Sequence, residues 1–333
     1  MMKNKIGFLD FKLRLFLDTN VFIDYIQGCN KKQCVTFLNL FKKSKVRKKP
    51  KIADVELVTS DYVLWEFFGH CREELYVKWL INKYHYGLIS ANKQCITANF
   101  RDVKPIQMGK FGKEIEGYRK RIFDDDAIVY LYRLIGHENA GFSEIIDRIL
   151  QCSKFSYKDA IVLNSAYFTY ADMIVTCDEQ FKEIRTEEGY LDNLKKALSD
   201  WKVKPEKLEY RQPKEFSSLA KIRSIYKNWF MARNKEKIIG EVVKYYPKIN
   251  VIEIKCKRGC LVTEKNSIYI AKFIGGDAFN KFGFVVPDFK SGNFKSAGTK
   301  NAVKKGTHVT IKLPSSISYK KINWEKGMVF LSE

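Results

Sequence analysis

Short apolar runs that stop at polar side chains and give way to a helical period dominate the first 180 residues and decide what this chain can fold into. Leu13-Arg14-Leu15-Phe16-Leu17 ends at Asp18-Thr19-Asn20, polar residues suited to cap the helix suggested by Val21 to Ile26. Leu57-Val58-Thr59-Ser60-Asp61 is again extended and β-branched, and it leads into a helical stretch from Tyr62 that continues past Trp79. A third run, Met173 to Thr176, follows a helix that starts near Ser156 and passes through Asp159, Val162, Leu163, Ala166 and Tyr170. Strands alternating with helices predict an α/β fold, a mostly parallel sheet flanked by helices. A helix from about Leu191 to Trp201 closes this domain, and Lys202 to Pro213, with prolines at 205 and 213, reads as a linker. The polar, Gly-containing stretch from Tyr86 to Arg121 has no place in this alternation and reads as a mobile insertion.

Beyond residue 201 the pattern changes in kind. Large apolar residues recur every three or four positions from Phe216 through Leu219, Ile222, Tyr226 and Trp229, while Lys221, Arg223, Lys227 and Arg233 fill the positions between them. This predicts a basic amphipathic helix that packs Trp229 on a core and offers its other face to phosphates. From Ile238 the period drops to two. Val251–Lys255, Ser267–Ala271, Phe282–Val286, His308–Leu313 and Met328–Leu331 read as short strands of a small antiparallel β-barrel. The expected organisation is therefore a first domain over 1–201, a linker and basic helix over 202–237, and a barrel over 238–333.

Charge follows the same division. Residues 1–200 hold 32 Lys and Arg against 27 Asp and Glu, whereas residues 201–333 hold 28 against 11. A net +17 on the shorter segment attracts phosphate backbones by counterion release, with Lys304 and Lys305 adding to the helix cations. A solvated basic surface or an anionic membrane face would use the same charges. No run approaches the ~18 apolar residues of a membrane span, and the opening residues are charged, so a cytoplasmic protein with no membrane segment is expected. Eight cysteines in 333 residues suit reduced thiols and no disulfides.

Four carboxylates stand at or just beyond a strand end or in the first turns of the following helix: Asp18, Glu66, Asp159 and Asp178. In an open α/β sheet these places converge on the crevice outside the carboxyl ends of the strands. Packed together, four such groups would repel, and a divalent cation with hard oxygen ligands removes that penalty. Mg²⁺ or Mn²⁺ held there would activate a water for in-line attack on a phosphodiester. Each acid also has a plain structural use. Asp159 lies three residues after Ser156 in a capping arrangement, Asp18 could cap a helix, and Asp178 could end a strand. Glu66, inside Leu64-Trp65-Glu66-Phe67-Phe68, is costly there without a partner. Asn20 and Thr176 are placed to orient ligands, Asp24 to reach a metal through water, and Asp172 to end a helix or turn. Zinc is disfavoured, because the four His lack a His-Glu-x-x-His and the pairs Cys29/Cys34 and Cys256/Cys260 lack finger spacing.

Leu15 to Asp24, Ser60 to Glu66, Lys158-Asp159-Ala160 and Ala171 to Phe181 resemble, in order, the successive motifs of PIN-domain ribonucleases, including the VapC-type toxins. The resemblance covers about residues 12–190. It implies a PIN fold, a Mg²⁺ or Mn²⁺ site at Asp18, Glu66, Asp159 and Asp178, and endonucleolytic cleavage of RNA. Between Glu66 and Asp159 the chain is longer than in compact members. VapC-type relatives are held by a protein antitoxin or inhibitor, which the resemblance admits as a partner, as it admits an oligomer and a toxin or defence role. Residues 238–333, through Ile239 to Val242, Tyr246 to Ile249, Arg258 to Leu261, Val303 to Gly306 and Lys326 to Val329, resemble the second-domain barrel of translation elongation factors. That likeness implies tRNA or ribosome-associated RNA as ligand. Two other readings stay open: a non-catalytic RNA-binding or ribosome-associated protein, and a nuclease acting on DNA or branched structures.

Overall fold

The computed structural model describes residues 12–27, 32–42, 54–98, 100–126, 129–134, 140–182, 189–201, 203–246, 251–257, 260–263, 267–274, 278–285, 289–291, 295–296, 300–303, 305–306, 308–312 and 328–332. The chain divides into two compact units, the first from Lys12 to Arg223 and the second from Ser224 onward.

A five-stranded parallel sheet centres the first unit, with strand order β3-β2-β1-β4-β5. Strand β1 (Leu13–Leu17) lies in the middle, and Leu13, Leu15, Phe16 and Leu17 are all buried, as a central strand covered on both faces requires. It pairs with β2 (Val55–Ser60) on one side and β4 (Met173–Val175) on the other. Edge strand β3 (Val129–Tyr132) adds to β2, and β5 (Glu209–Arg211) adds to β4. The chain builds outward from β1 on one side and then returns to build on the other. The β1/β4 junction is therefore the switch point of the sheet, where ligands of open α/β folds bind.

Helices α1 (Thr19–Gln27), α2 (Lys32–Phe41), α3 (Asp61–Tyr84), α6 (Ala140–Cys152), α7 (Tyr157–Phe168) and α8 (Tyr190–Ala197) flank the sheet. Ser60 caps α3, its side chain accepting from Val63 N at 3.4 Å, and His85 in the left-handed region ends the helix. Between them α3 runs 24 residues, beyond the sheet.

Three expectations are corrected. The stretch from Tyr86 to Arg121 is helical, with α4 (Leu88–Ala98) and α5 (Pro105–Lys120) laid against the far half of α3. Leu75, Tyr76, Leu80, Ala91 and Phe111 give these helices a core of their own, and Tyr76 Oη donates to Asp102. One buried residue in each of α4 and α5, Ala91 and Phe111, was too weak a period to show in the sequence. The supposed linker 202–213 contains β5, so the sheet unit ends near Arg223 rather than at 201. Three residues, two of them charged, do not look like a strand, yet a short charged strand is how sheet edges are blunted. Arg211 fixes it by donating to Glu209 Oε2 at 2.8 Å and Glu215 Oε2 at 2.9 Å. The helix near 191–201 stops at Ala197 and is followed by a 3₁₀ turn.

The expected basic helix is present as α9 (Leu219–Arg233), with Ile222, Tyr226, Trp229 and Phe230 buried. After it come strands β6 (Ile238–Tyr246), β7 (Val251–Cys256), β8 (Cys260–Thr263), β9 (Ser267–Ile274), β10 (Ala278–Val285), β11 (Phe289–Ser291), β12 (Lys295–Ser296), β13 (Lys300–Val303), β14 (His308–Lys312) and β15 (Met328–Ser332). Eight of them form one antiparallel sheet in the order β10-β9-β15-β6-β7-β14-β11-β12, while β8 and β13 pair apart. Among the described residues no ladder joins the two edge strands of that sheet. Gly240 of β6 has no room for a side chain against β7, since a Cβ there would lie 2.7 Å from Ile254 Cγ2 and from the Lys255 carbonyl. Among the described residues no helix is long and apolar enough to cross a membrane.

Candidate active site

Asp18 leaves β1 at the switch point and starts α1. Its backbone N donates to the Val175 carbonyl of the neighbouring β4 at 3.2 Å, and its carbonyl accepts from Val21 N at 3.1 Å. The side chain is 6% exposed. Oδ1 accepts from Thr19 N at 2.6 Å, and Oδ2 accepts from Asn20 Nδ2 at 2.8 Å and from Thr176 Oγ1 at 2.6 Å. Oδ1 thus takes the first amide of α1, while Asn20 and Thr176 both donate to Oδ2. They also bond each other, Asn20 Nδ2 to Thr176 Oγ1 at 2.8 Å. Burial pushes the Asp18 carboxyl up to about 7 despite the bonds from Thr176 and Thr19 that lower it, and the negative charges of Glu66 and Asp159 add to the rise.

Glu66 reaches this place from the second turn of α3. Its Oε2 accepts from Thr19 Oγ1 at 2.7 Å, and its Oε1 lies 3.6 Å from Lys158 Nζ. Asp159 belongs to the first turn of α7, the helix that runs back toward the start of β4, so its N-terminus lies at the carboxyl end of the strands. The capping box is formed: Oδ2 accepts from Ser156 N at 3.2 Å and from Ser156 Oγ at 2.6 Å, while Asp159 N donates to Ser156 Oγ at 3.3 Å. Both carboxylate bonds fall on one oxygen, so the capping role and an electrostatic role coexist. Asp178 follows β4 at the same end of the sheet. Its backbone N donates to Thr176 Oγ1 at 3.0 Å, and its Oδ1 accepts from Gln180 N at 2.9 Å. Asp178 is therefore tied to Asp18 through Thr176, with one carboxylate oxygen turned to its own backbone, and it does not figure among the charges that raise Asp18. The fold brings Glu66 and Asp159 each within electrostatic reach of Asp18 and leaves Asp178 one hydrogen-bonded step away.

A cleft of about 810 Å³ opens beside Glu66, lined by Thr19, Trp65, His70, Arg72, Tyr157 and Lys158 among others. Trp65 is 71% exposed and Tyr157 61%. Of the four carboxylates Glu66 alone lines this cleft, among exposed aromatic and basic side chains. The group formed by Asp18, Glu66 and Asp159 has the chemistry for a hard divalent cation: its donors are carboxylate oxygens, and a positive charge would offset the burial and repulsion that raise the Asp18 carboxyl.

The tightest group of potential ligands is a different one. Among the described residues, the trio with ligand atoms all within 4.8 Å of one another is Asp24, Cys34 and Cys177. Asp24 Oδ2 accepts from Cys34 Sγ at 3.6 Å and from Cys177 Sγ at 3.7 Å, and the two sulfurs are 3.6 Å apart. The bond with Cys177, burial and the charge of Asp24 all push the Cys34 thiol far up, so it is a neutral donor. The trio was missed because its cysteines are 143 positions apart, where pair spacing carries no signal. Asp172, by contrast, is structural: it is buried and accepts from Arg14 N at 3.0 Å.

Lys221, Lys227, Arg233 and Lys305 are exposed and Arg223 is half-buried. Lys304 lies outside the described residues, as do Cys29 and most of the barrel loops quoted in the sequence comparison.

No family profile matches the sequence, and no curated protein matches it. Among solved structures, the chain is similar to the C-terminal domain of a Geobacillus thermoleovorans putative U32 peptidase, at 12% identity and a TM-score of 0.22 over 29% of this chain and 93% of that one. The selenomethionine variant of the same domain gives 13% identity and a TM-score of 0.21 over 28% of this chain and 98% of that one.

Proposed function

We propose that the chain is a Mg²⁺- or Mn²⁺-dependent endoribonuclease of the PIN type. The observation that carries this reading is the buried Asp18 at the β1/β4 switch point, raised toward neutrality by burial and by Glu66 and Asp159. Asp18, Glu66 and Asp159 would hold the cation, with Asp178 joining from the turn beyond Thr176. When bound, the metal supplies an activated water and charge stabilisation at the leaving oxygen. The protein's own part is positioning. Thr176 and Asn20 fix one oxygen of Asp18, and Thr19 fixes one of Glu66. Trp65 and Tyr157 offer π-faces for unstacked bases at the cleft, and Lys158 and Arg72 meet phosphate. The second unit, read as a barrel of the elongation-factor type, holds RNA through its positive charge, with tRNA or ribosome-associated RNA as the substrate class.

The purified full chain is to be incubated with tRNA, ribosomal RNA and matched DNA at one salt concentration. Mg²⁺, Mn²⁺ or EDTA is varied. The expected result is RNA cleavage leaving 5′ phosphate and 3′ hydroxyl ends, lost in EDTA and in Asp18→Asn and Asp178→Asn. Cleavage that persists in EDTA rejects the mechanism, and equal cutting of DNA moves the substrate class. The capping bonds of Asp159 and the Lys158–Glu66 pair favour a second reading, a non-catalytic RNA-binding scaffold. RNA binding without Mn²⁺ uptake would select it.

A further inference from the structure

We infer that Asp24, Cys34 and Cys177 form a zinc site, separate from the carboxylate cluster and independent of the ribonuclease reading. The three donor atoms make a nearly equilateral triangle with sides of 3.6, 3.6 and 3.7 Å. A tetrahedral zinc with Zn–S of about 2.3 Å and Zn–O of about 2.0 Å has S···S edges of about 3.8 Å and S···O edges of about 3.5 Å. The observed triangle already matches one face of that tetrahedron. Two sulfurs and one carboxylate oxygen are donors zinc accepts, whereas Mg²⁺ and Mn²⁺ prefer oxygen alone.

The surroundings support thiolate ligands. Gln33 Nε2 donates to Cys177 Sγ at 3.9 Å, and Cys177 N donates to Asn20 Oδ1 at 3.0 Å, which fixes the residue that carries the sulfur. Cys34 is buried while Asp24 and Cys177 are half-buried, so the site has both a wall and an entrance. Binding exchanges one Zn²⁺ for the two thiol protons, which leave to water, and the net charge of the group is unchanged. Water takes the fourth position. The ion would tie α1, α2 and the turn after β4, and through Asn20 it would hold the turn that presents Thr176 and Asp178 to Asp18.

The test begins with the purified full chain stripped by a chelator and dialysed against Zn²⁺. Bound zinc is measured by mass spectrometry of the metal, and Co²⁺ is used as a spectroscopic replacement. The expected result is one zinc per chain, and a cobalt form with a near-ultraviolet thiolate charge-transfer band and tetrahedral visible bands. Cys34→Ser and Cys177→Ser should lose both zinc and the thiolate band, Asp24→Asn should weaken zinc about tenfold or more, and Cys71→Ser should change neither. The wild-type cobalt spectrum decides even if the variants fail to fold. Absence of the thiolate band overturns the proposal, as does a band that survives loss of both cysteines. An isolated protein two hydrogens lighter, with Cys34 joined to Cys177, would likewise overturn it in favour of a redox pair.

Discussion

The two units handle charge in opposite ways. In the sheet unit a few ionisable groups are buried and fastened by short bonds, as Asp18 is by Thr19, Asn20 and Thr176. Beyond Arg223 the charge is large but dispersed, with 21 Lys and Arg against 8 Asp and Glu, and the helix cations Lys227 and Arg233 stand in solvent. Concentrated buried charge makes single residues decisive, whereas dispersed surface charge acts additively and is screened by salt. Substitutions in the first unit should therefore have large, residue-specific effects, and those in the second small effects that depend on ionic strength.

Asp18→Asn is the strongest test of the first half of that comparison. Turnover on RNA is expected to fall by about 10²-fold or more while RNA binding stays unchanged. Stability gives a second, metal-free readout. The Asp18 carboxyl is raised to about 7 in the fold, against the ordinary value of 3.8. Between these values the folded state holds a proton that the unfolded chain has released. Wild-type stability should therefore fall as pH rises from about 4 to about 7, by up to about 4 kcal/mol. Asp18→Asn should remove this slope, and Mn²⁺ should restore wild-type stability at pH 8. Denaturant unfolding at pH 5 and pH 8 measures both. A flat wild-type profile would break the argument from burial. The variant's own gain at pH 8 should fall short of the full amount, because the new amide would face the Asn20 donor.

How much of this could be read in the sequence depends on how locally each feature is encoded. Strand β1 and Asp18 were legible because a five-residue run with four apolar side chains stops at Asp-Thr-Asn, marking strand end and helix start in eight positions. Asp159 was legible as a cap for the same reason, Ser156 and Asp159 standing three positions apart. Strand β5 was not, since its residues earn their place only by pairing with β4. Nor were α4 and α5, which each give a single buried residue to the core they share with α3. The sulfur trio was the least legible, being assembled from α1, α2 and the turn after β4. Asp178 was placed correctly at the strand end, but its bond to Gln180 is a local turn preference that the motif concealed.

Gly240→Ala tests whether the second unit has any position as demanding as those of the first. Its Cβ would meet Ile254 Cγ2 and the Lys255 carbonyl, both at 2.7 Å, and the backbone contact cannot yield by a rotamer change. A loss of about 1–3 kcal/mol is expected, seen in thermal unfolding of the full chain, with Mn²⁺ uptake unaltered. No loss would mean that β6 and β7 can separate freely.

Asn20→Ala should cost less, about 1 kcal/mol, yet its effect should spread further. The side chain donates to Asp18 and Thr176 and accepts from Cys177 N, so it joins the carboxylate cluster to the sulfur trio. Binding of Mn²⁺ and of Zn²⁺ should both weaken, measured by separate titrations. If only one responds, the two clusters are independent and the turn after β4 is held by other bonds.

The smallest effects should come from Lys221→Ala, Lys227→Ala and Arg233→Ala. These residues lie along one helix and are exposed, so each would contribute a screened phosphate contact rather than a fixed geometry. Each substitution should weaken RNA binding only a few-fold. A single-stranded contact contributes about 0.7 to the slope of log affinity against log salt, so the triple variant should flatten that slope by about 2. Cleavage of RNA already bound should proceed at the wild-type rate, because none of the three belongs to the carboxylate cluster. The discriminating measurement is the slope: a triple variant with reduced affinity but the wild-type slope would have lost a shaped contact, and the dispersed-charge account of the basic helix would fail.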